Sequence, residues 1–187
     1  GIIAVVLLKQ PDTKSLILMF VAGCAMYFMT GVSMKKNFII GGIAVAGFAI
    51  LAFSTPYLRD RVKTFINPSN DPRGSSYQLK QALIAVGSGG ISGRGIGMSL
   101  QKFSYLPEPQ GDSIFAVISE ETGFVGALIV IVLYAAFAMR GLRIASRAPD
   151  AFGRLLGVGL VILLTAQSFL NIASITGLFP LTGVPLV

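Results

Sequence analysis

Charged residues are absent from four stretches of this chain, Ser15 to Met34, Asn37 to Leu58, Thr122 to Met139 and Leu155 to Val187, and polar segments separate them. Each is long enough to cross a hydrocarbon layer of about 30 Å as a helix, which needs roughly 20 apolar residues. The last contains a proline-broken end, "GLFPLTGVPLV". Residues 1–8, "GIIAVVLL", are too short to span and have no charged segment ahead of them, so they read as the tail of a further spanning helix rather than a signal peptide. The chain thus reads as an internal piece of a larger assembly of helices. The pattern predicts an all-α, polytopic transmembrane helix bundle, with residues 1–187 as a single integral membrane domain.

Three of the polar segments are short turns, "KQPDTKS" (9–15), "SMKK" (33–36) and "RGLRIASRAPDAFGR" (140–154). The fourth, residues 58–112, is long, and a connection of that length inside a compact bundle is usually functional. Two parts of it carry helical periodicity. In "LRDRVKTFI", Leu58, Val62 and Phe65 share a face; in "YQLKQALIAVG", Leu79, Ala82, Leu83 and Val86 do so, opposite Gln78, Lys80 and Gln81. Both predict short amphipathic helices lying in the membrane surface. If the spans alternate in direction, the "SMKK" and 140–154 turns share one side with six basic residues in little chain. The positive-inside tendency then places those turns in the cytoplasm and the 58–112 loop outside.

Composition narrows the chemistry. The chain is 53% hydrophobic and 12% charged, with a formal net charge of +7 and no histidine. Without imidazole there is no Ser-His-Asp triad and no histidine proton relay, and most zinc and haem sites are ruled out. Any acid-base work must fall to Asp, Glu, Lys or Tyr. The one cysteine, Cys24, lies in mid-span, which excludes an internal disulfide and reads as packing. The cations form no long run and do not alternate with aromatics, so they point to membrane lipids and loop topology and not to nucleic acid.

The glycine-rich "GSGGISGRGIGMS" (87–99) fits neither a dinucleotide fingerprint nor a phosphate loop. Two readings stand: a closely packed turn that needs positive φ, or backbone amides that face an anion together with Arg94. The acids carry more. Asp112 precedes an apolar run and is either a helix N-cap, with Ser113 competing for that place, or a general base at the lipid boundary. Glu120 and Glu121 lie two turns further in, where carboxylates are expensive and normally paired or functional. A helix starting near Ser113 puts Glu120 within about 80° of the Asp112 direction and Glu121 roughly opposite. The Gly153-x-x-x-Gly157 spacing predicts a close helix contact.

Four stretches, "QPD" (10–12), "NPSNDPRGSSYQLKQALIAVGSGGISGRGIG" (67–97), "YLPEPQGDSIFAVISEETGFVG" (105–126) and "NIASITGLFPLTGVPL" (171–186), resemble the SEDS family, the bacterial FtsW/RodA glycosyltransferases. "QKFSYLPEP" is similar to the division-type branch. The resemblance implies a multi-pass enzyme of the bacterial plasma membrane that polymerises lipid II, of whose ten helices this chain holds about five. It implies Asp112 as the catalytic carboxylate, although Gly111-Asp112-Ser113 stands where the family commonly has Thr-Asp-Phe. Substrate contacts are expected from Glu108, Arg94, Lys102, Arg73, Lys80 and Asp12, the last in a "QPDTKS" that departs from the family's usual QPD-Leu-Gly-Thr. Glu120 is expected in a supporting position.

The implied chemistry is an inverting sugar transfer. Asp112 takes the proton of a sugar 4-hydroxyl that attacks the anomeric carbon of a lipid-linked glycan, and polyprenyl pyrophosphate leaves. The leaving group requires cations, from Lys and Arg and from a divalent Mg²⁺ or Mn²⁺. Implied partners are a class B penicillin-binding protein transpeptidase, other membrane proteins of the divisome and the surrounding membrane lipids. Two other functions compete on the same residues: a lipid II flippase or transporter, which also uses intramembrane acids and broken helices, and a non-catalytic divisome scaffold.

Overall fold

The computed structural model describes residues 13–30, 35–36, 38–43, 46–47, 65, 75–104, 111–181 and 183–187. Among the described residues the helices with defined bounds are α1 (Thr13–Phe28), α2 (Ser75–Ser88), α3 (Gln101–Ser104), α4 (Ile114–Ser146) and α5 (Ala151–Ile175). Residues 38–43 are also helical, at the start of the second predicted span. The described residues are helical or irregular and contain no strand. α4 and α5 are long and apolar enough to cross a membrane, and the apolar part of α1 is shorter. The predicted amphipathic helix in "LRDRVKTFI" lies outside the described residues apart from Phe65.

The chain divides into two compact units, one of residues 1–54 and 135–166, the other of residues 55–134 and 167–187. In the first, helices meet at small residues. A Cβ on Gly141 would lie 2.5 Å from Val161, one on Gly157 2.9 Å from Ala145, and one on Gly159 2.8 Å from the Met26 sulfur. Close backbone approach is the usual means of helix association in lipid, where no hydrophobic force separates helix from solvent. The predicted Gly153-x-x-x-Gly157 contact is therefore met at Gly157 alone. Gly153 instead packs on Asp150, whose carboxylate accepts the Gly153 amide and caps α5.

The second unit has a core of Ala82, Ala85, Phe115, Ala116, Val117, Ile172, Ile175 and Leu181, flanked by Leu79, Val86, Ile131 and Tyr134. α2 thus packs one face into the unit, as its amphipathic pattern predicts, with Leu83 and Ile84 exposed on the other. Its buried stripe is rotated from the predicted one: Ala85 is fully enclosed, while Leu83 is 42% exposed beside Gly177. Small alanines on this face let α2 approach α4 and α5 closely, which side-chain hydrophobicity alone does not encode.

Two predicted spans differ in extent from their helices. α4 starts eight residues before Thr122 and runs past Met139 to Ser146, but Gly123 breaks it with φ 70 and ψ −166. The stretch from Leu155 to Val187 is not one helix. α5 ends at Ile175, where Gly177 (φ 74) sits at the C′ position: Leu178 N–H bonds Ala173 O at 2.8 Å and Gly177 N–H bonds Ser174 O at 3.2 Å, the Schellman pattern. The last residues then return along the unit. Gln167 donates to Pro185 O, Asn171 to Val184 O, and the Tyr134 hydroxyl to Val187 O.

Candidate active site around Asp112

The break in α4 explains the glycine run. In an unbroken helix Phe124 N–H would bond Glu120 O and Val125 N–H would bond Glu121 O. Gly123 opens both. The freed amides turn to the 89–95 loop, Phe124 N–H to Gly90 O at 2.9 Å and Val125 N–H to Ile91 O at 3.2 Å. The freed carbonyls accept from the same loop, Glu120 O from Arg94 N–H and Glu121 O from Gly95 N–H, each at 3.0 Å. Four bonds replace two, so all four main-chain groups that the break frees are paired again, which in an apolar helix avoids a large cost. The exchange requires glycine on both sides: a Cβ on Gly89 would lie 2.1 Å from Ser119 O, one on Gly93 2.1 Å from Glu121 O, and one on Gly123 2.3 Å from Gly93 N. Of the two readings of the glycine run, the closely packed turn is the one observed. The Arg94 and Gly95 amides bond protein carbonyls and do not form an anion cradle.

The break also directs the two glutamates. Glu120 is 1% exposed, and its carboxylate accepts from Ser99 Oγ at 2.6 Å, Leu100 N at 3.2 Å and Gln101 N at 3.4 Å, with the Arg94 guanidinium 3.8 Å away. A bare carboxylate at that depth would carry a large desolvation cost; three donors and a cation offset it. Ser99 Oγ in turn accepts the Lys102 amide at 3.2 Å, so Glu120 and Ser99 together start α3. Glu121 pairs with Lys102 at 3.7 Å. Although adjacent helix positions point in different directions, both acids engage the 94–102 segment.

Asp112 lies two residues before the start of α4. The carbonyl of Ser113 accepts the first helical amides, from Ala116 at 3.0 Å and Val117 at 3.4 Å, which places Ser113 at the N-cap. Ser113 is fully buried, with Gln78 Nε2 at 3.4 Å from its hydroxyl. Asp112 is half-buried. Its carbonyl accepts from Asn171 Nδ2 at 2.6 Å, and a Cβ added to Gly183 would stand 3.2 Å from its Oδ2. The carboxylate therefore lies beside the backbone of the returning C-terminal segment.

Of the expected substrate-contact residues, Arg94, Lys102 and Lys80 are described. Arg94 faces Glu120, and its Nε also donates to Ser88 O at 3.4 Å, with the side chain 39% exposed; Lys102 faces Glu121; Lys80 is exposed on α2. Asp12, Arg73 and Glu108 lie outside the described residues. Among the described residues no three His, Cys, Asp or Glu side chains gather as metal ligands. Three residues that matter locally, Ser99, Asn171 and Gly183, are not among the expected ones. Asn171 carries a readable signal, since an amide in the middle of an apolar span must find partners or bear the cost of their absence.

Comparison with known proteins follows the same boundaries. The sequence model of the FtsW/RodA/SpoVE family, described as cell cycle protein, matches residues 1–187. Stage V sporulation protein E of Bacillus subtilis (strain 168) is 41% identical over 181 residues, covering 97% of this chain and 50% of that protein. The probable peptidoglycan glycosyltransferase FtsW of Thioalkalivibrio sulfidiphilus (strain HL-EbGR7) is 39% identical over 98% of this chain and 46% of its own length. The peptidoglycan glycosyltransferase MrdB of Escherichia coli (strain K12) is 39% identical over 95% of this chain and 49% of its own length. A solved chain from a peptidoglycan synthase complex that coordinates polymerization and crosslinking aligns with a TM-score of 0.71 at 27% identity, covering 96% of this chain and 50% of that one. The chain spans about half the length of these relatives.

Proposed function

Because this chain belongs to the FtsW/RodA/SpoVE family of membrane proteins, we propose that it carries the general base of a peptidoglycan glycosyltransferase, and that this base is Asp112. One observation supports the assignment above others: Ser113 holds the N-cap of α4, so the acid beside it is not needed to start the helix. Among the described acids of the second unit, Glu120 and Glu121 bond the 94–102 segment, while Asp112 lies at the mouth of α4 beside Gly183, a position that suits proton transfer at the lipid boundary.

In this reading the Asp112 carboxylate accepts the proton of a sugar 4-hydroxyl on lipid II as that oxygen attacks the anomeric carbon of a lipid-linked glycan. The bond from that carbon to the pyrophosphate oxygen breaks on the opposite face, and polyprenyl pyrophosphate leaves without needing a proton. Its charge is met by Lys and Arg of the 58–112 loop, since guanidinium and ammonium groups suit phosphate oxygens. The protein is a multi-pass protein of the bacterial plasma membrane, with the 58–112 loop outside and a class B penicillin-binding protein transpeptidase as partner. The solved relative comes from a peptidoglycan synthase complex in which polymerization and crosslinking are coordinated, and this supports that pairing.

The test is polymerisation of lipid II by purified full-length protein in detergent, read as glycan ladders on a gel. Asp112→Asn is expected to abolish product while lipid II binding and the melting temperature are retained. Near-normal polymer from that variant would sink the proposal. Absence of product from the unmutated protein and its partner in detergent would favour a flippase, which has no task without a bilayer.

A further inference from the structure

Asn171 is 1% exposed in the apolar helix α5, and its amide nitrogen bonds two carbonyls from distant parts of the chain, Asp112 O at 2.6 Å and Val184 O at 2.7 Å. Both acceptors belong to irregular backbone, outside any helix that would supply a donor. The two bonds use both hydrogens of the amide, and a flipped amide would set an oxygen against two oxygens, so the network itself fixes the orientation. On the other side of the Asp112–Ser113 peptide, Ser113 is enclosed and starts α4. The main chain of Asp112 is therefore held from both directions.

The second bond reaches the surface against which the carboxylate rests. Val184 follows Gly183, whose φ is +64 and whose missing Cβ would approach Asp112 Oδ2 to 3.2 Å. One amide thus sets both the backbone that carries the carboxylate and the backbone beside it. Ser174 Oγ donates to Asn171 O at 2.9 Å, and the surrounding positions Ile172 and Ile175 are buried, so α5 presents the amide from a rigid base.

We propose that Asn171 is a positioning residue for Asp112: it does not touch substrate, and it holds the aspartate and the Gly183–Val184 wall in the register that proton transfer requires. The proposal rests on Asp112 being the base. Misplacement of a catalytic group by about 1 Å can cost 10²-fold in rate without loss of binding. In a full-length protein, Asn171→Leu is accordingly expected to lower kcat for lipid II polymerisation by about 100-fold, with KM within about twofold; the two carbonyls it leaves without a donor also lower the melting temperature, so the split between kcat and KM is the deciding readout. Asn171→Ser, which keeps one hydroxyl donor in place of two amide hydrogens, is expected to regain about tenfold of that loss and to stay about tenfold below wild type.

The experiment measures kcat, KM, lipid II binding and thermal unfolding for Asn171→Leu, Asn171→Ser and Asp112→Asn side by side. A fall in kcat with KM and binding retained, and partial recovery in the serine variant, supports the proposal. A wild-type rate in Asn171→Leu while Asp112→Asn is dead overturns the positioning role and leaves the base assignment standing; an active Asp112→Asn overturns the base assignment instead. Parallel loss of binding and rate shows an ordinary packing role and also overturns it. Should the leucine variant fail to fold, Asn171→Ser decides by the same readouts, a wild-type kcat refuting and a kcat-only loss supporting.

Discussion

Replacing Gly123 by alanine tests whether the α4 break and the glycine loop form one unit. At φ 70 and ψ −166 the residue occupies a region that is nearly exclusive to glycine, where a side chain costs about 1–3 kcal/mol. The new Cβ would also stand 2.3 Å from Gly93 N and 2.5 Å from Ile91 O, both backbone atoms that cannot rotate away. The least costly escape is for α4 to straighten. It then recovers its two helical bonds at Phe124 and Val125 but gives up all four to the loop, a net loss of two at about 0.5–1.5 kcal/mol each. Straightening also relieves the positive φ, so the cost by this route is the bond loss alone, about 1–3 kcal/mol. Gly90→Ala is the control, because Gly90 also has a positive φ, 56, but open space where a Cβ would go, so only the left-handed penalty of about 1–2 kcal/mol applies.

Thermal unfolding of the purified protein in detergent, with amide exchange followed by mass spectrometry across residues 89–95 and 120–125, reads both effects. Both variants should unfold at a lower temperature than the unmutated protein, and Gly123→Ala, unlike Gly90→Ala, should expose the Arg94 and Gly95 amides to exchange. If the two variants exchange alike, or if exchange in the loop does not change, the backbone exchange between loop and helix is not what holds this region.

Two further outcomes complement those given for Asp112 and Asn171. Glu120→Ala removes the acceptor of Ser99 Oγ, Leu100 N and Gln101 N, so amide exchange at 100–101 should rise by about tenfold or more, with Glu120→Gln intermediate because it keeps one oxygen; unchanged exchange would contradict the anchoring role. Gly177→Ala places a Cβ at φ 74 and should destabilise by about 1–2 kcal/mol, seen as a lower melting temperature; a neutral result would mean that the Schellman cap does not need glycine.

Much of this molecule is legible along the chain. Runs free of charge mark α1, α4 and α5, because a helix in hydrocarbon must be apolar over most of its length. Periodicity in "YQLKQALIAVG" marks α2, and the order of motifs marks the family. Asp112 stands out as an acid at the mouth of an apolar helix in a chain with no histidine.

The internal limits are less visible. A glycine inside "EETGFVG" is as compatible with a straight helix as with a broken one, and nothing local announces that its carbonyls will be claimed by amides 26 residues upstream, as Gly95 N–H claims Glu121 O. Adjacent glutamates on a regular helix point apart, yet a loop folded across the break meets both. The prolines after α5 signal a broken end, but not its return to Asn171 and Tyr134.

The division has a simple origin. Whether a segment is helical and which medium surrounds it follow from side chains a few residues apart, and these are written along the chain. Which orphaned carbonyl meets which donor, as Asp112 O meets Asn171 across 59 residues, depends on how separate helices come to rest against one another, and that is settled in space.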